Sequence, residues 1–158
     1  MKLTEIITPD SIRVPLESTE RDEVISELID TLIASGAADA SIRDELLAKL
    51  LERERKHSTG FGRGVAVPHV KHTSIEKMTA AIGVTGKGID FNSLDKQPVY
   101  TVFLLLSPQS RPEEHLQAME LIFKNLSKDT FRRELRQADD AEQIHKLLDD
   151  ADHHRVGG

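Results

Sequence analysis

The amino-acid sequence predicts an α/β fold: a single domain with a mixed β-sheet sandwiched between helices on both faces. Three observations carry this. Segments with strand patterning are flanked by segments with helical periodicity, an order that builds layers of helix on sheet. One run, residues 99–106, is almost wholly apolar, as a central strand covered on both faces must be. The length, 158 residues, is that of one ordinary domain able to bury a core.

Taken in order, Ile12-Arg13-Val14-Pro15-Leu16 alternates apolar and polar, and Pro15 confines that strand to an edge or an end. Ser18 or Thr19 is the expected N-cap of a helix whose Val24, Ile25, Leu28, Ile29, Leu32 and Ile33 share one face and which stops at Gly36. Ser41 starts a second helix, with Asp44 as a weaker capping-box partner and Ile42, Leu46, Leu47, Leu50 and Leu51 as its buried stripe. That helix runs into the charged residues 52–56, after which residues 57–64 turn to glycines and hydroxyls. Residues 65–67, 79–85 and 89–91 are short strand segments. Beyond the apolar strand, Ser110 and Glu113 have capping-box spacing, and Pro112 opens a helix expected to bury Leu116, Met119, Ile122, Phe123 and Leu126. Two shorter helices, near 129–137 and 141–149, complete a domain of residues 1–150. Residues 151–158 read as a polar, disordered tail.

Composition removes several function classes. Charged residues are 30% and hydrophobic ones 38%, the balance of a soluble globular protein, and with aromatics at 4% the core must come from Leu, Ile, Val and Ala. A formal net charge of -6 without a basic stripe argues against nucleic acid as partner. The absence of Cys excludes disulfides, thiol catalysis and Cys-based zinc sites. No signal peptide is apparent and no run of about 18 apolar residues occurs, so the expectation is a cytoplasmic protein with no direct membrane insertion.

His69 is the first chemical candidate. In Gly64-Val65-Ala66-Val67-Pro68-His69 the proline fixes its own φ and holds Val67 extended, so the imidazole is presented from a stiff support. Ser58, Thr59 and the glycines at 60, 62 and 64 supply hydroxyls and close-approach N–H groups suited to an oxyanion or phosphoryl pocket. Residues 60–64 are not a dinucleotide loop, because they follow a helix and precede a strand. His115 lies beside the apolar face near the positive end of its helix, where an imidazolium is disfavoured. Arg53 closes a charged helix end. On the residues alone a packing role for His69 or His115 stays open, as does a metal site from His57, His69 and His72.

Taken together, Arg53-Glu54, Ser58-Thr59-Gly60, Gly64-Val65-Ala66-Val67-Pro68-His69 and Glu114-His115-Leu116 resemble the enzyme IIA domain of the phosphoenolpyruvate-dependent sugar phosphotransferase system. The branch is the mannitol/fructose type, which includes nitrogen-related regulatory IIA proteins, and the resemblance runs over residues 4–149. It implies a phosphocarrier. His69 matches the residue that accepts a phosphoryl group from phospho-HPr, His115 the second active-site histidine, Arg53 the supporting arginine, and Thr59 a hydroxyl near the phosphoryl group. It implies no resident cofactor or metal, only a transient phosphoryl group on His69. The implied partners are HPr or an HPr-like donor, then separate IIB and IIC components or a regulated target protein; the next acceptor in this branch is a IIB cysteine, which this chain lacks. Departures from the family are Val70 in place of a small residue, which narrows the approach to His69, Lys56-His57, and Arg63 where Asn is common. Two rivals follow: a IIA-like binding module acting by contact alone, and a metal-dependent hydrolase built on His57, His69 and His72.

Overall fold

A computed structural model of the chain describes residues 1–154. The elements are α1 (Leu3–Ile6), β1 (Ile12–Arg13), α2 (Arg21–Ala34), α3 (Arg43–Lys56), β2 (Gly60–Gly62), β3 (Val65–Ala66), β4 (His69–His72), β5 (Thr79–Ile89), β6 (Val99–Pro108), α4 (Pro112–Leu126), α5 (Asp129–Gln137) and α6 (Ala141–Asp152). The six strands form one mixed sheet in the order β1-β5-β6-β3-β2, with β4 also paired to β6. β1 is an edge strand, as Pro15 requires. The apolar run becomes β6, paired antiparallel to β5 on one side and parallel to β3 and β4 on the other.

Period-two alternation sorts the strand side chains into two cores. Val65, Val67, Ile82, Phe103 and Leu105 pack with α1, α4, α5 and α6, whereas Ala66, Ala81, Val102, Leu104 and Leu106 pack with α2 and α3. The helix-sheet-helix sandwich is therefore present. Val70 packs into the α2/α3 core, on the face opposite the odd-numbered residues, so it does not narrow the approach to His69.

β3 and β4 are one strand with a gap. Val65 pairs with Thr101, Ala66 with Val102 and His69 with Leu105, an unbroken register across residues 67 and 68. Pro68 has no N–H to give the ladder, yet its carbonyl still accepts from Leu105 N–H at 3.0 Å. His69 thus opens the second half of this strand, beyond the segment 65–67. Similarly, segments 79–85 and 89–91 are largely one strand, β5, with an irregular register between Val84 and Ile89 and Phe91 buried just beyond it.

The caps differ from expectation. Glu20, not Ser18 or Thr19, is the N-cap of α2, while Ser18 N–H donates to Glu27 at 2.9 Å. Asp39, not Ser41, supplies the capping carboxylate before α3, accepting from Ser41 N–H at 2.8 Å. Arg111 is the N-cap of α4, and no Ser110–Glu113 box forms, although Pro112 does open the helix. Gly36, at φ 86°, ends α2 as expected: its N–H reaches Ile33 and that of Ala37 reaches Leu32.

The domain also reaches further than residue 150. Ala151 is buried, and the Asp152 carboxylate accepts from Leu3 N–H (2.6 Å), Thr4 N–H (3.0 Å) and the Thr4 hydroxyl (2.7 Å). Residues 151 and 152 of the expected tail thus belong to α6, and residues 155–158 lie outside the described residues. Asp152 caps α1 from across the fold. We expect Asp152→Ala to lower unfolding stability by about 1–2 kcal/mol in urea titrations. A change within about 0.5 kcal/mol, usual for an uninvolved surface position, would mean that this carboxylate does not hold α1.

Candidate functional site

His69 and His115 meet at the β4–α4 boundary, their ring centroids 5.4 Å apart with planes tilted by 47°. The strand register brings one ring there. His69 shares the odd-numbered face with Val65 and Val67, the face that α4 covers. Its Nδ1 lies 2.9 Å from the carbonyl oxygen of Val67. A carbonyl can only accept, so Nδ1 carries a proton, and in the neutral ring the lone pair belongs to Nε2.

His115 enters from the first turns of α4 and is only 5% exposed. Its Nδ1 lies 2.6 Å from the Ser107 hydroxyl, which is also 2.9 Å from Met78 Sδ, and the single hydroxyl hydrogen can serve either one. Burial, then the nearby charges of His69 and Lys71, hold the His115 imidazole down to about 4 from an ordinary 6.5. It is neutral at physiological pH. Which ring nitrogen carries its proton depends on where Ser107 points. When Ser107 donates to Nδ1, the His115 proton sits on Nε2; when it donates to Met78, Nδ1 donates back and Nε2 is bare.

Thr59 and Arg53 sit on the neighbouring loop and helix end. Thr59 is tied to the His69 support, because Val67 N–H donates to its carbonyl at 3.2 Å. Its own N–H and hydroxyl both donate to Glu54, at 2.7 and 2.6 Å, and this glutamate is 3% exposed. The hydroxyl is therefore engaged with a carboxylate. Arg53 is exposed; its guanidinium donates to the His57 carbonyl at 3.3 Å and has no carboxylate partner among the described residues. His72 faces away, with Nε2 3.0 Å from Glu45 and Nδ1 accepting from Ser74 N–H. Among the described residues no three His, Cys, Asp or Glu side chains form a group that could hold a metal ion, so His57, His69 and His72 do not converge.

Four contributors escaped the sequence reading. Ser107 and Met78 are an ordinary hydroxyl and an ordinary thioether until the fold sets them beside His115. Glu54 looks like part of a solvated charge run. Lys71 had a usable signal: it follows His69 by two residues and so shares its strand face. The α4 face is rotated relative to expectation. His115, Ala118 and Asn125 are buried with Ile122 and Leu126, whereas Leu116 is 61% and Phe123 37% exposed. Phe123 instead meets Phe61 edge-on at 4.7 Å.

Sequence and fold are similar to those of known proteins over most of the chain. The family model described as "Phosphoenolpyruvate-dependent sugar phosphotransferase system, EIIA 2" matches residues 5–151. A fructose-specific EIIABC component of Bacillus subtilis is 32% identical over 152 residues, covering 96% of this chain and 24% of the Bacillus protein. The chain thus spans about a quarter of that relative. A nitrogen regulatory protein of Bradyrhizobium diazoefficiens is 33% identical over 150 residues, covering 94% of this chain and 95% of its own length. The crystal structure of nitrogen regulatory protein IIA-Ntr from Neisseria meningitidis superposes with a TM-score of 0.83 at 27% identity, over 92% of this chain and 98% of that one. No helix among the described residues is long and apolar enough to cross a membrane.

The His115 environment has a measurable cost. Between about pH 6.5 and 4 the unfolded chain carries a proton on this side chain that the folded chain does not. Stability is therefore fully present above the unfolded value and falls as pH drops through this window. Urea unfolding at pH 7 and pH 5 should show a larger loss for the wild type than for His115→Gln. Equal losses would assign the acid sensitivity to other groups.

Proposed function

The chain belongs to the EIIA 2 family of the phosphoenolpyruvate-dependent sugar phosphotransferase system, and from that membership we propose that it is a phosphoryl carrier whose acceptor atom is Nε2 of His69. The observation that carries this is the hydrogen bond from His69 Nδ1 to the Val67 carbonyl. It puts a proton on Nδ1 and turns Nε2, the nitrogen away from the backbone, toward the space beside a second, buried imidazole.

In the proposed step the donor is a phosphohistidine on HPr or an HPr-like protein. The His69 Nε2 lone pair attacks phosphorus in line with the donor's P–N bond. That bond breaks, and its electron pair returns to the donor imidazole. The His69 ring gains positive character as the new N–P bond forms. Its Nδ1–H then makes a charge-assisted bond to the Val67 carbonyl, which spreads that charge without moving a proton.

His115 and Lys71 are the proposed partners of the phosphoryl oxygens. With Ser107 donating to Nδ1, His115 offers an Nε2–H. The dianionic group also favours the imidazolium that burial and the neighbouring charges disfavour when the site is empty. Arg53, with no carboxylate partner among the described residues, supports the site from the end of α3. For Thr59 we propose a second-hand role, ordering the loop through Glu54 instead of meeting phosphorus directly. No resident cofactor or metal is assigned.

Leu116, next to His115 in α4, and Phe123, two turns further along the same helix, are exposed and suit an apolar contact with the donor and the onward acceptor. For onward transfer we propose a IIB component, in line with the A, B and C parts joined in the Bacillus relative's name. A regulated target protein is the alternative output, supported by the similarity to a nitrogen regulatory protein at 33% identity against 32% for the fructose-specific relative.

Incubation with phosphoenolpyruvate, enzyme I and HPr should give an acid-labile, alkali-stable adduct that His69→Ala abolishes. Labelling of that variant at the wild-type level would remove the assignment. His115→Ala should still accept the group but transfer it at least roughly tenfold more slowly, the effect of losing one positioned donor. By NMR titration the His115 midpoint should rise from near 4 toward or above neutrality on phosphorylation. An unmoved midpoint would place the phosphoryl group away from it.

A further inference from the structure

Arg63 stands outside the two-histidine site. It occupies the middle of a Gly62-Arg63-Gly64 turn in which all three residues have positive φ, 111°, 59° and 79°. Glycine adopts this region freely, whereas a residue with a Cβ is strained there. The turn is pinned from two sides: Asp95 accepts from Arg63 N–H at 2.9 Å, and Tyr100 N–H donates to the Gly64 carbonyl at 2.8 Å.

Across from this turn, α5 presents Arg132, Arg133 and Arg136, and a groove of about 520 Å³ lies between. Arg132 is structural. It is buried, donates to the Leu126 carbonyl at 2.6 Å and pairs with the Asp129 carboxylate, which consumes the acidic group bordering the groove. Arg63, Arg133 and Arg136 are exposed and have no ion-pair partner among the described residues. Arg136 lies 3.8 Å above the centroid of the Tyr100 ring, an arrangement that fixes the guanidinium plane and leaves its N–H edges for in-plane acceptors.

Three uncompensated like charges around one concavity repel one another. They do not come from a generally basic surface, since the chain's formal net charge is -6. We infer that this groove is a binding site for a small polyphosphorylated molecule, with Arg63, Arg133 and Arg136 each taking phosphoryl oxygens. Guanidinium forks match phosphate geometry, and the volume falls in the range of small-molecule sites, about 300–1,000 Å³. Consecutive phosphates deliver several negative charges within that space, which carboxylates spaced along a peptide do not. The groove is separate from the proposed phosphoryl acceptor. Val65 pairs with Thr101 and His69 with Leu105, so the Arg63 turn starts at least about 13 Å back along β6. The inference does not depend on transfer at His69.

Calorimetric titration with inorganic tripolyphosphate tests it, run near 0.15 M salt so that non-specific attraction over more than about 8 Å is screened. We expect saturable binding at one site per chain, weakened roughly tenfold or more in Arg63→Gln, Arg133→Gln and Arg136→Gln, and unchanged in His69→Ala. The two α5 variants carry the test if the strained turn does not tolerate Gln. ATP binding more tightly than tripolyphosphate would assign a nucleotide, and equal binding an inorganic phosphate chain; both support the site. The proposal is overturned by no saturable heat at millimolar tripolyphosphate, by binding indifferent to the three arginines, or by binding lost in His69→Ala. It is equally overturned if tripolyphosphate is silent while a hexaglutamate peptide binds, which would make the groove a contact for an acidic protein.

Discussion

The missing N–H of Pro68 is the constraint on which the site rests. A strand that lacks one donor ordinarily loses its partner, but here the register between residues 65–72 and β6 continues through the gap. The backbone stays in place while one link of the ladder is freed. Next to that link, the Val67 carbonyl takes the proton-bearing nitrogen of His69. A single residue type therefore sets the position of the ring, its tautomer and the direction of its remaining lone pair. Any residue with an N–H at 68 could close the ladder and compete for the same geometry.

The second histidine is held by a different kind of force. Burial is tolerable for an imidazole when it is neutral and hydrogen-bonded, and Ser107 supplies the bond. The low proton affinity that results is a consequence of packing against an apolar strand end, reinforced by the charges of His69 and Lys71. The site is thus poor in fixed negative charge and ready to gain hydrogen-bond donors when an anion arrives. Glu54 is consistent with this picture because its carboxylate is wholly committed to Thr59.

Much of the fold was legible because it follows from periodicity. The central strand, the α2 and α3 stripes and the order of layers all came from apolar spacing, and the rigid Val67-Pro68-His69 support came from proline stereochemistry. The errors share a cause as well. Reading α4 by hydrophobicity favours Leu116 and Phe123 for the core, but the fold buries His115 and Asn125 instead, since each finds a partner: Ser107 for one and the Leu121 carbonyl for the other. Satisfied polar groups are invisible to an apolar pattern. Capping failed for a related reason, because a carboxylate two residues upstream or across the fold can do what the adjacent serine was expected to do. Ser107, Met78 and Glu54 belong to the site only through long-range pairing that no local window contains.

The clamp between Asp152 and the first turn of α1 has an architectural consequence. It draws the two ends of the described chain to one spot, beside the β1 edge of the sheet. β5 and β6 lie between that edge and β4, so the tether point stands about 14 Å from the histidine strand at ordinary inter-strand spacing. A polypeptide joined at Leu3 or Asp152 leaves from the same corner, on the helical layer that also carries His115 but displaced from it across the sheet. Fusion to other modules, in either order, is compatible with this layout without burying the working surface.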